Sequence, residues 1–107
     1  MAISKDEALK LVKSFLIYAS KRHKILSAYL FGSYAKGIQK DYSDIDLAII
    51  IPARNKKLYA ESRDIFHEAQ KFNSLIEVVC FKEEEFKKDK IAIAQQIKKQ
   101  GIKIKFE

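Results

Sequence analysis

Leu30-Phe31-Gly32-Ser33-Tyr34-Ala35-Lys36-Gly37-Ile38-Gln39-Lys40-Asp41-Tyr42-Ser43-Asp44-Ile45-Asp46-Leu47-Ala48-Ile49-Ile50-Ile51 is the stretch whose reading decides the fold. Gly32 and Ser33 close an apolar run that includes Ile25, Leu26, Ala28, Tyr29, Leu30 and Phe31, which predicts a turn at the carboxyl end of a buried strand. Ten residues separate Ser33 from Asp44. Asp44 and Asp46 then head a run rich in isoleucine, with strand character. Side chains two apart on a strand point the same way. Two carboxylates held on one face repel each other and resist losing water, so the pair calls for a cation. Mg²⁺ suits such oxygens and keeps positions for water and phosphate. Glycine lets backbone approach a phosphate closely, and Ser33 offers a hydroxyl and an N–H. These parts describe a site for a metal-bound nucleoside triphosphate.

The Gly32-Ser33, ten-residue spacer and Asp44-Ile45-Asp46 arrangement resembles the GS-x10-DxD signature of the DNA polymerase β-like nucleotidyltransferase superfamily. At this length the chain is most similar to the minimal nucleotidyltransferases, the MNT or MntA-type antitoxins paired with HEPN-domain toxins. The resemblance implies an α/β (α+β) nucleotidyltransferase fold, a small mixed β-sheet flanked by helices. It also implies nucleotidyl transfer, with Asp44 and Asp46 holding Mg²⁺ on ATP and Gly32, Ser33 and Lys36 on the phosphates. A third carboxylate on a following strand completes the family pattern, and Glu77 is placed for it, giving two ions in total. Glutamate there is longer than the family's usual aspartate, and lysine at Lys36 lacks the bidentate fork of the more usual arginine. Structural pairing of Glu77 with a lysine is the other reading of that residue. Tyr34 is read two ways, as a contact to base or ribose and as packing.

At 107 residues the chain is expected to form one domain, residues 1–107, burying roughly 65% of its unfolded surface. No apolar run reaches membrane-spanning length, and Met1 to Lys13 is too charged for a signal peptide, so the expected location is the cytoplasm, with no membrane partner. The single cysteine, Cys80, sits between Val79 and Phe81 and reads as a small core residue. The net charge of +7 is carried by the ends: residues 1–24 hold six Lys or Arg against two acids, 25–81 seven against seven, and 82–107 eight against five. The basic side chains are read as wet helix faces, and direct nucleic-acid binding is not expected.

Ser4 and Glu7 form a capping-box pattern, and Ala8, Leu11, Val12, Phe15, Leu16 and Ala19 predict a first helix running to about Lys21. His23 is expected in a solvated basic segment. Beyond the second strand, Arg54 to Lys57 reads as a loop, and Leu58, Ser62, Ile65, Phe66, Ala69 and Phe72 as one face of a helix with His67 and Glu68 at its surface. Leu75 to Phe81 reads as a third strand, interrupted by Glu77 at a position where an unpaired charge is expensive to bury. Lys82 to Lys90 is expected to be helical, Ile91, Ile93, Ala94 and Ile97 to form a further helix ended by Gly101, and Ile102, Ile104 and Phe106 a half-exposed edge strand.

The leading functional expectation is an enzyme: an antitoxin that transfers AMP from Mg-ATP to a tyrosine hydroxyl of a HEPN-type RNase toxin, with which it forms a hetero-oligomer. The alternative is a binding antitoxin or nucleotide-binding module that neutralises its partner by occlusion. A small-molecule transferase is disfavoured by the short chain, and an RNA-binding protein by the neutral central block.

Overall fold

The computed structural model describes residues 3–41, 43–52, 58–88 and 92–106. The order along the chain is α1 (Lys5–Ala19), β1 (Ser27–Phe31), α2 (Gly32–Lys36), β2 (Ile45–Ile51), α3 (Leu58–Phe72), β3 (Ile76–Lys82), α4 (Glu83–Lys87), α5 (Ala92–Gln100) and β4 (Ile102–Lys103). The strands form one sheet in the order β3-β2-β1-β4. β1 runs antiparallel to both β2 and β4, while β2 and β3 are parallel, so the sheet is mixed as the fold family implies. The parallel pair requires a crossover, and α3 supplies it.

Burial on both faces explains the unbroken apolar run of β2. Ile45, Leu47, Ile49 and Ile51 pack with Ala8, Val12, Phe15 and Leu16 of α1 and Ile65 and Ala69 of α3. Ala48 and Ile50 face the other way, onto Phe81, Phe86 of α4 and Ala94 and Ile97 of α5. Asp46 shares this second face by the strand period, beyond the apolar patch. Tyr34 is 1% exposed within the larger core, so packing is its role in the fold.

The capping box forms as expected, with Glu7 N–H donating to Ser4 Oγ at 3.1 Å and Ser4 N–H to Glu7 Oε1 at 3.2 Å. α1 ends at Ala19, two residues before the expected Lys21, because the chain turns there to bury His23. That burial corrects two expectations. His23 is not solvated: it is 9% exposed, with Nε2 2.6 Å from Glu68 Oε2 and Nδ1 3.2 Å from Glu61 Oε1. Glu68 is accordingly not a surface group, its side chain being 12% exposed, whereas His67 is exposed. The third strand is shifted by one residue to Ile76–Lys82, and of the expected helical segment Lys82 to Lys90, α4 spans Glu83–Lys87 while positions 89–90 lie outside the described residues. The expected loop at 54–57 and the helical position Ile91 lie outside the described residues. Ile104 and Phe106 are buried and Lys103 and Lys105 exposed, the alternation of a half-buried edge, although ladder pairing covers only Ile102–Lys103. Among the described residues no helix is long and apolar enough to cross a membrane.

Candidate active site

β1 delivers Gly32 to a tight corner. Gly32 has φ +74°, a left-handed value that side chains disfavour, and a Cβ there would collide with the carboxylate of Asp46. The close approach follows from register, because Phe31 lies directly opposite Asp46 in the antiparallel ladder. Glycine thus serves twice: it lets the chain turn from β1 into α2, and it lets backbone pass over an acidic side chain. Gly37 ends α2 in the left-handed conformation, its N–H returning to Ser33 and Tyr34 carbonyls. Ser33 is half-buried, and Lys36 is exposed in the last turn of α2.

Two local devices deliver the carboxylates. A turn closed by Lys40 N–H to Ser43 Oγ at 2.8 Å and Ser43 N–H to Lys40 C=O at 3.0 Å leads into Asp44. The start of β2 is then fixed to the start of β3: Ile45 N–H donates to Leu75 C=O at 2.7 Å, and Leu75 N–H to Asn73 Oδ1 at 2.9 Å. Gln70 Nε2 ties α3 to the same place by donating to Ile76 C=O at 2.7 Å. These bonds set the parallel register in which Asp46 lies beside Glu77.

The structure therefore brings Asp44, Asp46 and Glu77 to one end of adjacent strands, as the sequence reading anticipated. It corrects the reading of Glu77 as a buried charge: Glu77 is exposed, on the open edge strand β3, so the interruption of that apolar run carries little desolvation cost. The three groups interact. Burial raises the Asp46 pKa, and the Asp44 charge raises it further. Hydrogen bonding with Asp44 raises that of Glu77, together with partial burial and the charges of Asp44 and Asp46. Among the described residues, no Lys or Arg forms an ion pair with any of the three. Crowded carboxylates without a protein cation form a donor set that fits a hard divalent ion. Among the described residues, no three His, Cys, Asp or Glu side chains are arranged as they stand to hold a metal ion, so any ion here would take part of its shell from water and substrate oxygens.

Comparison with known proteins decides the family. The polymerase beta nucleotidyltransferase family model matches residues 14–106. The chain belongs to that family. This nucleotidyltransferase chain also superimposes on a Sulfolobus solfataricus protein described as a candidate nucleotidyltransferase, with a TM-score of 0.62 and 22% identity over 96% of this chain and 87% of the other. A second structural relative is the toxin–antitoxin MntA-HpeT, in a mutant with two aspartates two positions apart replaced by glutamate. It aligns with a TM-score of 0.56 and 18% identity over 94% of this chain and 72% of that one. No curated sequence matches the chain. At these identities the two structures establish a shared fold.

The sequence reading missed one charged constellation in this nucleotidyltransferase, His23 with Glu61 and Glu68. Its one sequence signal is the seven-residue interval between the glutamates, two turns along one face of α3. Nothing in the sequence pairs that face with a histidine 45 positions from Glu68.

Proposed function

We propose that this nucleotidyltransferase transfers AMP from Mg-ATP to a hydroxyl, most directly a tyrosine hydroxyl, of a HEPN-type toxin with which it forms a toxin–antitoxin pair. The observation that carries this reading is the meeting of Asp44, Asp46 and Glu77, with Asp46 under the Gly32 corner, in a chain that belongs to a nucleotidyltransferase family. The fold shared with the MntA-HpeT toxin–antitoxin supports the partner class.

Asp44 and Asp46 would hold Mg²⁺, with Glu77 contributing to a second ion. When bound, the ions supply charge neutralisation at the phosphates and a more acidic acceptor hydroxyl. Gly32 keeps side-chain bulk away from Asp46, and Ser33 and Lys36 would receive phosphate oxygens. In the reaction the acceptor oxygen attacks the α-phosphorus of ATP. The bond to the bridging oxygen breaks, pyrophosphate leaves, and the hydroxyl proton passes to a carboxylate of the cluster. Partner and nucleotide are thereby joined through a phosphodiester.

The test is the intact mass of the companion toxin after incubation with this protein, Mg²⁺ and ATP, beside Asp44→Asn/Asp46→Asn. The expected result is mass gain in AMP increments that disappears with the variant. A stable complex without mass gain would move the function to neutralisation by occlusion.

A further inference from the structure

The basic C-terminal third gathers its charge at one place in the fold. A groove of about 320 Å³ lies between β1, α4, α5 and β4, with Lys87, Lys98 and Lys103 on its walls and Tyr29, Ile50 and Phe86 among its lining. A second depression of about 310 Å³ adjoins it, sharing Leu26, Ser27 and Lys103 and adding Lys105. Each lysine comes from a different piece of chain: α4, α5, β4 and the segment after β4. Among the described residues, Glu83 is the one acid lining either depression, and it pairs with Lys87 at 3.5 Å. Lys98 is held over the Phe86 ring at 4.9 Å and donates to the Lys87 carbonyl at 3.3 Å, so the wall is ordered. Between the lysines Leu26 stands 40% exposed. Alongside runs β4, at one edge of the sheet.

We propose that these joined depressions dock an extended acidic segment of a protein partner, with an apolar residue of that segment covering Leu26. Edge lysines oppose pairing with another copy of this basic chain, yet favour an acidic strand laid against the same edge. Charge complementarity selects the sign of the occupant, and the exposed leucine selects peptide over nucleic acid. A single-stranded nucleic acid would need bare aromatic faces for its bases. Here Phe86 is 5% exposed and capped by Lys98, and among the described residues no arginine lines either depression. The surface stands on its own geometry; only the identity of the partner as a toxin rests on the function proposed above.

The test is fluorescence anisotropy on the full chain with a labelled peptide of alternating glutamate and leucine, a lysine–leucine control and oligouridine. Binding of the acidic peptide is expected, weakened about tenfold by Lys103→Glu/Lys105→Glu and less by the glutamine versions. Lys10→Glu/Lys13→Glu makes the same change in net charge on exposed positions of α1 and is expected to leave binding intact. Equal losses from the two double reversals would reduce the effect to overall charge and overturn the proposal. So would binding of the control peptide as tight as that of the acidic one, no peptide binding, or oligouridine displacing the peptide. Asp44→Asn/Asp46→Asn is expected to keep full peptide affinity, so the docking surface and the transferase reading fail in separate assays.

Discussion

Replacing His23 by alanine removes the ionic tie between the end of α1 and the crossover helix α3. Its imidazole faces Glu68 at 2.6 Å and Glu61 at 3.2 Å, so both ring nitrogens can donate only in the protonated form. Burial pulls the His23 pKa down, but the hydrogen bonds and charges of Glu68 and Glu61 outweigh it, and the net shift is upward from 6.5. The charge-assisted bond to the largely buried Glu68 is worth about 2 kcal/mol. The longer contact to Glu61, whose side chain is 27% exposed, adds about 0.5 kcal/mol. Among the described residues, loss of the ring also leaves Glu68 with only Arg22, 3.6 Å away and 60% exposed. The total cost is about 3 kcal/mol, or a fall in Tm of roughly 12 °C for a domain of this size. The sign with pH follows from the raised value: the ionic stabilisation is complete below the unfolded pKa and fades as pH rises through the higher folded pKa. Urea unfolding of both proteins at about pH 6 and about pH 9 is therefore expected to show a cost that falls by roughly half at the higher pH. A cost equal at both pH values, or below about 1 kcal/mol at the lower, would refute the ionic tie and leave His23 as packing alone.

Gly32→Ala is expected to destabilise by about 2–3 kcal/mol, through left-handed backbone and collision with Asp46, and to weaken Mg²⁺-dependent stabilisation; thermal melts with and without Mg²⁺ check it, and a neutral substitution would contradict the corner geometry. Asp46→Asn is expected to make the metal-free protein more stable near neutral pH by about 0.5–1 kcal/mol, because the raised pKa means that the ionised Asp46 opposes folding. That advantage shrinks as pH falls through the raised value toward the ordinary carboxylate range, and Mg²⁺ is expected to raise the Tm of the parent but not of the variant; pH-resolved melts with and without Mg²⁺ read both.

The sequence by itself determined the composition of the site and the order of most elements. Gly32-Ser33 at the end of an apolar run and two aspartates at the head of another are local facts. So are the capping box of α1 and the isoleucine run of β2, since period and spacing act within a few residues of the chain. Tertiary structure decided what meets what. Glu77 stands beside Asp46 because Asn73, Leu75 and Gln70 set the parallel register, and it is exposed near the start of a strand whose Phe81 is buried, which no local pattern announces. His23 looked solvated among Lys21, Arg22 and Lys24, yet the turn after α1 carries it onto two glutamates of a distant helix. The lysines at 87, 98, 103 and 105 read along the chain as wet faces, and only the packing of α4, α5 and β4 around one groove gathers them into a surface. Local sequence fixes dihedral preference and face, whereas register, edge position and charge clustering depend on contacts between residues far apart in the chain.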